Sequence, residues 1–248
     1  MRNTQDCKYS HGTCRQTCCG KTVFRKIYAD PERAAAAAAH YRWISALGAV
    51  QVPALLAATE SELTFEDLGS HHPGPDDLVT IASAMGDLHA AAWDRHLYRA
   101  RLDRPFRCGE LTISDFISPR RNLLARFPAA ATSGPVAFYK DCNIRNFMTD
   151  SGLAVIDFDD LTLAPFGYDL GKLIVSSAMT HGRPDPVVVS DVLDAYNDRL
   201  PAGATCSVQR LRLYTYIHHE LTSRYLHQHG YRYLWPDVSP WPAFTYTK

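Results

Sequence analysis

No charge of either sign is in excess in this chain: 26 lysines and arginines stand against 26 aspartates and glutamates, for a net charge of zero at pH 7. A balanced chain gives no electrostatic case for nucleic acid or an acidic membrane surface as a partner. No apolar run is long enough to span a bilayer, and the first residues hold no apolar signal core. A cytoplasmic location is the expectation. Internal repeats and low-complexity tracts are also lacking. Two catalytic signatures fall short. Gly20-Lys21-Thr22 has Arg15 where a phosphate-binding P-loop needs glycine, and strand-forming residues follow where a helix should begin. His219-Glu220-Leu221-Thr222-Ser223 ends on serine where a zinc-protease helix needs its second histidine.

What is present is an ordinary globular composition, 46% hydrophobic and 21% charged over 248 residues, enough for a full core in one domain or two lobes. Seven cysteines is an odd number in a chain that has no need of staples, so reduced thiols are expected rather than a disulfide framework. Cys7, His11, Cys14, Cys18 and Cys19 cluster near the N-terminus, but only Cys14 with Cys18 or Cys19 has zinc-ligand spacing. Thiols lining a loop are the reading preferred. A zinc-dependent interaction module rests on these cysteines alone.

The chain is organised around residues 136–160. Val136 to Phe138 reads as a short apolar strand, followed by the polar loop Tyr139-Lys140-Asp141-Cys142-Asn143-Ile144-Arg145-Asn146. A hairpin follows, with arms Phe147-Met148-Thr149 and Leu153-Ala154-Val155-Ile156 turned by Asp150-Ser151-Gly152. Counted from the turn, Asn146 and Asp157 face each other or are offset by one residue. Cross-strand neighbours lie roughly 5 Å apart, so one cation can bridge them. An amide oxygen with a carboxylate suits a hard ion such as Mg2+. Asp141 enters the same cleft free of the hairpin, able to take a proton.

Asp-x-x-x-x-Asn followed by a strand ending in Asp-Phe-Asp resembles the phosphoryl-transfer arrangement of protein-kinase-like enzymes. The chain most resembles the aminoglycoside phosphotransferase and choline kinase-like family, whose pattern it matches with Asp141, Asn146, Asp157 and Gly167-Tyr168-Asp169-Leu170-Gly171. It departs where Tyr139-Lys140 stand in place of His-Gly. The resemblance implies an α+β, two-lobed protein-kinase-like fold: a small N-terminal antiparallel sheet with a helix, and a larger, mainly helical C-terminal lobe carrying the catalytic hairpin. Residues 1–67 are expected to form the nucleotide-binding lobe and 68–248 the catalytic and acceptor-binding lobe.

Around that stretch, residues 1–30 read as a small antiparallel unit, with Ser10-His11-Gly12-Thr13 a turn over nucleotide phosphates. Thr22 to Tyr28 is its strand, carrying Lys26 at the position of the family's phosphate-pairing lysine. Asp30, Pro31 and Glu32 open a helix that Gly48 closes. No acidic residue occurs between Glu32 and Glu60, so the family's helix glutamate is missing and only Glu32 is left to pair with Lys26. Glu62 to Glu66 is a further strand, and 67–75 has linker composition; the resemblance makes it the hinge, where backbone groups near Glu66 and Leu68 hydrogen-bond adenine. His71 and His72 are assigned no metal. Helices are expected across Leu78 to Ala92, from Ser118-Pro119 through Phe127, over Ser190 to Leu200, and from Ser207 to about His229. His89 reads as structural, and Asp169 as a brace for the catalytic-loop backbone or a helix cap. The tail from Tyr231 packs back as a lid or lines an acceptor pocket.

The function expected is an ATP- or GTP-dependent, Mg2+-requiring kinase acting on a hydroxyl of a small molecule, with an antibiotic as acceptor and resistance or self-protection as the role. Asp141 would take the hydroxyl proton, Asn146 and Asp157 would hold metal, and Lys26 would neutralise phosphate charge. Lys140 and Arg145 read as solvated charges beside the base, and Asp159 and Asp160 as partners for a cationic acceptor or simple caps. The rivals are a kinase of a metabolite alcohol and a non-catalytic kinase-like nucleotide-binding protein, the latter motivated by the missing helix glutamate, by Tyr139 and by the cysteine-rich N-terminal loop.

Overall fold

The computed structural model describes residues 6–8, 12–18, 21–131 and 134–242. Its N-terminal part is a five-stranded antiparallel sheet of spatial order β1-β2-β3-β5-β4. The strands are β1 (Asp6–Lys8), β2 (Thr13–Cys18), β3 (Lys21–Ile27), β4 (Leu55–Ala58) and β5 (Glu62–Glu66). Ser10 and His11 of the expected phosphate turn lie outside the described residues, as do Cys19 and Gly20. The described end of that turn, Gly12, has φ 41° and its carbonyl accepts from Ile27 N–H at 2.8 Å. A Cβ on Gly12 would stand 2.7 Å from the Ile27 side chain, so Gly12 sits close against the end of β3 that carries Lys26.

Helix α1 (Pro31–Leu47) runs between β3 and β4 with the signals expected of it. The Asp30 side chain accepts from Glu32 N–H at 2.9 Å, Pro31 takes the first turn, and Gly48 closes it in the left-handed region at φ 64°. Ala34, Ala37 and Ala38 are buried, which lets the helix lie close to the sheet, while Tyr41 and Ile44 reach into the core.

The remainder is mainly helical. Helix α2 (Leu78–Arg95) packs along α5 (Pro186–Asn197), and α4 (Tyr168–His181) along α6 (Val208–Thr222); α3 (Arg121–Arg126) and α7 (Trp235–Val238) are short. Three two-stranded ribbons complete it: β6 (Phe106–Cys108) with β7 (Leu111–Ile113), β8 (Val136–Tyr139) with β11 (Thr162–Pro165), and the hairpin β9 (Phe147–Met148) with β10 (Ala154–Val155). Glycine fixes one helix contact: a Cβ on Gly171 of α4 would meet Tyr214 of α6 at 2.8 Å. No helix among the described residues is long and apolar enough to cross a membrane.

Several boundaries differ from those expected. Helix α5 starts at Pro186 because Asp185 accepts from Val187 N–H at 2.8 Å, an N-cap with proline in the first turn that the later apolar run obscured. Helix α6 stops at Thr222, not near His229: a short turn follows, then a loop in which His227, His229 and Gly230 all have positive φ. Ser118-Pro119 opens a helical turn ahead of α3, which ends at Arg126.

Candidate active site

The loop after β8 is held from beneath. The buried Asp169 carboxylate accepts Lys140 N–H at 3.1 Å and Cys142 N–H at 3.0 Å, and Ser176 Oγ accepts Ile144 N–H at 3.0 Å. Asp169 therefore braces the loop backbone; the N-cap of α4 is Gly167, with no side-chain cap. Between the two braced residues Asp141 is turned outward at φ 59°. That region costs a non-glycine residue about 1–3 kcal/mol and persists only where surrounding bonds impose it. Asn146 closes the loop, its amide nitrogen donating to the Asp141 carbonyl at 2.8 Å, which leaves the amide oxygen for another partner.

The hairpin settles the register left open by the sequence. Val155 pairs with Phe147, and Ile156 N–H donates to the Asn146 carbonyl at 3.0 Å, so Asp157 is offset one residue beyond Asn146. Asp157 is also left-handed, at φ 67°, with its N–H donating to the Tyr41 hydroxyl at 2.9 Å. One end of each arm thus presents an oxygen to the cleft.

Lys26 crosses from β3 to this hairpin. Its Nζ lies 2.6 Å from Asp157 Oδ1 and 2.9 Å from Asp159 Oδ1, and Tyr28 OH donates to Asp159 Oδ2 at 3.0 Å. Burial works against the Lys26 charge, but Asp157, Tyr41 and Asp159 outweigh it and raise its pKa. Asp157 is likewise desolvated, yet Lys26 holds its carboxyl below the usual range. Asp159 goes the other way, raised by burial and by the neighbouring Asp157 charge. Glu32 is exposed at the start of α1, so it does not take the helix glutamate's place; the acids that meet Lys26 come from the segment after the hairpin. Helix α1 contributes Tyr41 instead, together with the buried His40, whose ring nitrogens lie 3.0 Å from the Asp159 carbonyl and 2.9 Å from the Thr112 carbonyl.

A cavity of about 300 Å³ opens beside these groups, lined by Phe24, Lys26, Leu68, Asn146, Ile156 and Asp157 among others. Glu66 and Leu68 both line it, and the Leu68 N–H has no hydrogen-bond partner among the described residues. Apolar walls (Phe24, Phe65, Leu68, Ile156) with charged and amide groups among them suit a purine with attached phosphates.

On the far side of Asp141 stands a residue the sequence reading missed. Lys172 of α4 places Nζ 3.3 Å from Asp141 Oδ1 and 3.4 Å from Tyr231 OH, and Tyr139 OH donates to Asp141 Oδ1 at 3.0 Å. Lys172 lies three residues after Asp169, one helical turn on, so the i, i+3 rule was the available signal. Tyr231 accepts from Asn143 Nδ2 at 2.9 Å, which brings the start of the tail onto the loop beside Asp141. Lys140 is not solvated. It is 2% exposed, its Nζ 4.9 Å above the Phe147 ring and 5.2 Å above that of Phe158. Asp159 is taken by Lys26 and Tyr28, and Asp160 pairs with Arg33 at 2.6 Å. His11 and Cys19 of the cysteine cluster lie outside the described residues; Cys14 is buried.

The sequence profile of the phosphotransferase enzyme family (APH) matches residues 14–206. No curated protein matches. Among solved structures, the macrolide 2'-phosphotransferase MphH from Brachybacterium faecium aligns over 98% of this chain and 93% of its own, with TM-score 0.58 and 14% identity. Choline kinase LicA from Streptococcus pneumoniae aligns over 90% and 83%, with TM-score 0.57 and 13% identity. An amicoumacin kinase in complex with AMP-PNP, Ca2+ and Ami aligns over 88% and 78%, with TM-score 0.60 and 12% identity. The shared fold is that of protein-kinase-like phosphotransferases, a small antiparallel sheet joined to a mainly helical remainder.

Proposed function

The chain belongs to the phosphotransferase enzyme family, and from that premise we propose that it moves the γ-phosphoryl group of ATP to a hydroxyl of a small molecule, with Asp141 as the proton acceptor. Residues 1–67 would bind the nucleotide and 68–248 supply catalysis and the acceptor site. The observation that carries this reading is that Lys26, Asn146 and Asp157 line one cavity of about 300 Å³, with Lys26 bonded to Asp157.

The adenine would lie between Phe24 and Ile156, with the Leu68 N–H and the Glu66 carbonyl as its edge partners. Lys26 would meet phosphate oxygens; because it already neutralises Asp157 and Asp159, it enters the reaction charged and held in place. Asn146 and Asp157 fit a divalent cation. Both offer oxygen, the Asn146 nitrogen is already committed to the loop, and one Asp157 oxygen is left beyond that bonded to Lys26. Bound there, Mg2+ supplies charge neutralisation at the β- and γ-phosphates. As the acceptor oxygen bonds to the γ-phosphorus, the bond from that phosphorus to the β–γ bridging oxygen breaks, and the hydroxyl proton passes to Asp141. Tyr139 and Lys172 hold the Asp141 carboxylate at that point. The non-catalytic alternative loses its main motive, since Lys26 has acidic partners without a helix glutamate.

Acceptor identity stays at the level of a small-molecule alcohol, an antibiotic or a metabolite. Transfer of label from γ-labelled ATP to a panel of such compounds tests the proposal. Transfer by the natural chain and none by D141N is expected; undiminished transfer by D141N would refute it.

A further inference from the structure

Tyr231 reaches the loop of Asp141 by way of a strained turn. His227 and His229 have φ 61° and 49°, a region that residues other than glycine adopt only where their surroundings impose it, and Gly230 follows at φ 81°. His227 N–H closes the turn on the Tyr231 carbonyl at 2.9 Å, and Tyr231 N–H bonds the Gln228 carbonyl at 3.0 Å. Beyond it, Arg232 and Tyr233 donate their N–H groups to the Met179 carbonyl of α4 at 2.7 and 3.0 Å. Tyr231 is thereby buried between α4 and the loop after β8.

Its hydroxyl accepts from one donor of the loop and one of α4: Asn143 Nδ2 at 2.9 Å and Lys172 Nζ at 3.4 Å. Asn143 N–H in turn bonds the Asp141 carbonyl at 2.6 Å, and its Oδ1 accepts Arg145 N–H at 3.1 Å. Lys172 also faces Thr222 Oγ1 of α6 at 3.3 Å and Asp141 Oδ1 at 3.3 Å, one oxygen for each of its three protons. Burial opposes the Lys172 charge, but Asp141 and Tyr231 outweigh it and raise its pKa. Lys172 and Tyr139 both meet Asp141 at Oδ1; among the described residues no hydrogen bond reaches Oδ2.

Resting on the kinase reading of the site, we infer that Tyr231 is a positioning residue for phosphoryl transfer: through Lys172 it fixes Oδ1 of Asp141, so that Oδ2 is the oxygen that takes the acceptor proton. As the acceptor oxygen bonds to the γ-phosphorus and the bond to the bridging oxygen breaks, the released proton goes to Oδ2. A carboxylate free to rotate is aimed at the acceptor only part of the time, and one held by two donors on the same oxygen is not. Tyr231 acts on the base through the ammonium, not through the reacting atoms.

The test removes one oxygen: Y231F keeps the ring beneath the Arg145 guanidinium and loses the hydroxyl. Turnover is read with water as the acceptor, as release of ADP and phosphate from MgATP. Y231F should lower kcat about tenfold or more and leave KM for ATP unchanged. The double variant Y231F/K172M should be no slower than K172M, because the hydroxyl works through the ammonium. Y233F, at an exposed tyrosine of the same tail, should match the natural chain. In proton–nitrogen NMR the Lys172 ammonium resonance, identified by its loss in K172M, should move in Y231F and D141N and hold in Y233F. Unaltered kcat in Y231F, additive losses in the double variant, no hydrolysis of bound MgATP by the natural chain, or an ammonium resonance indifferent to Y231F overturns the inference. Calorimetric titration of the natural chain with MgATP decides the kinase reading separately. Without MgATP binding that reading falls; binding together with any of those results sinks only the positioning role.

Discussion

Lys26 and Asp157, 131 residues apart in sequence, meet at 2.6 Å across the cleft. This contact ties β3 to the hairpin, and its two members are the groups proposed to meet phosphate and metal. Replacing Asp157 with asparagine would keep the shape, remove the anionic charge proposed to hold the metal and leave Lys26 with Asp159 as its one carboxylate. Phosphoryl transfer should fall by about 10²–10³ or more, measured as kcat at saturating ATP and Mg2+.

Tyr41 accepts the Asp157 N–H where the family has a helix glutamate nearby. Tyr41→Phe takes the partner from that half-buried donor, at a cost of about 0.5–1.5 kcal/mol, and frees the left-handed Asp157 to shift. A raised KM for ATP and a lower urea midpoint are expected. Glu32→Ala, on the exposed first turn, should change stability by less than about 0.5 kcal/mol and leave KM alone.

Asp169→Ala removes the acceptor of two buried loop N–H groups at once. At about 1–3 kcal/mol for each stranded group, urea unfolding should show a loss of several kcal/mol. The kcat should fall as well, because Asp141 lies between the two released residues.

Gly171→Ala puts a Cβ 2.8 Å from Tyr214 Cβ and 3.0 Å from the Tyr214 carbonyl carbon. Backbone cannot yield as a side-chain tip does, so α4 and α6 must separate, at about 1–3 kcal/mol. Thermal unfolding of this variant against the natural chain checks it.

His181, His218 and His219 all have pKa values below the ordinary 6.5, burial being the largest cause for each. Above that value both folded and unfolded chains hold them neutral. Below it the unfolded chain binds protons that the folded chain resists, so stability is fully present above the unfolded value and is lost as pH falls toward the folded values. Urea midpoints should drop between pH 7 and pH 5, and His218→Gln should flatten that slope.

Much of this was legible because local chemistry and global fold agree. Asp30, Pro31 and Gly48 mark α1 by capping alone, and Asp150-Ser151-Gly152 fixes the hairpin that sets Asn146 against the Asp157 end. What escaped was tertiary. No local pattern announces that Lys26 meets Asp159, that Lys140 is buried against two phenylalanine rings, or that Lys172 reaches both Asp141 and Tyr231. The early end of α6 was hidden by an apolar face that continues in sequence to Tyr225 after the backbone has left the helix. The surroundings of Asp141 suffered most, since α4, the loop after β8 and the tail build them together.

Titration of ATP into the protein with and without Mg2+ tests the central claim most directly, on the natural chain and on D157N. The account predicts tighter binding with Mg2+ in the natural chain, by about tenfold or more, and loss of that metal dependence in D157N. Absence of ATP binding, or a Mg2+ effect that survives D157N, would contradict it.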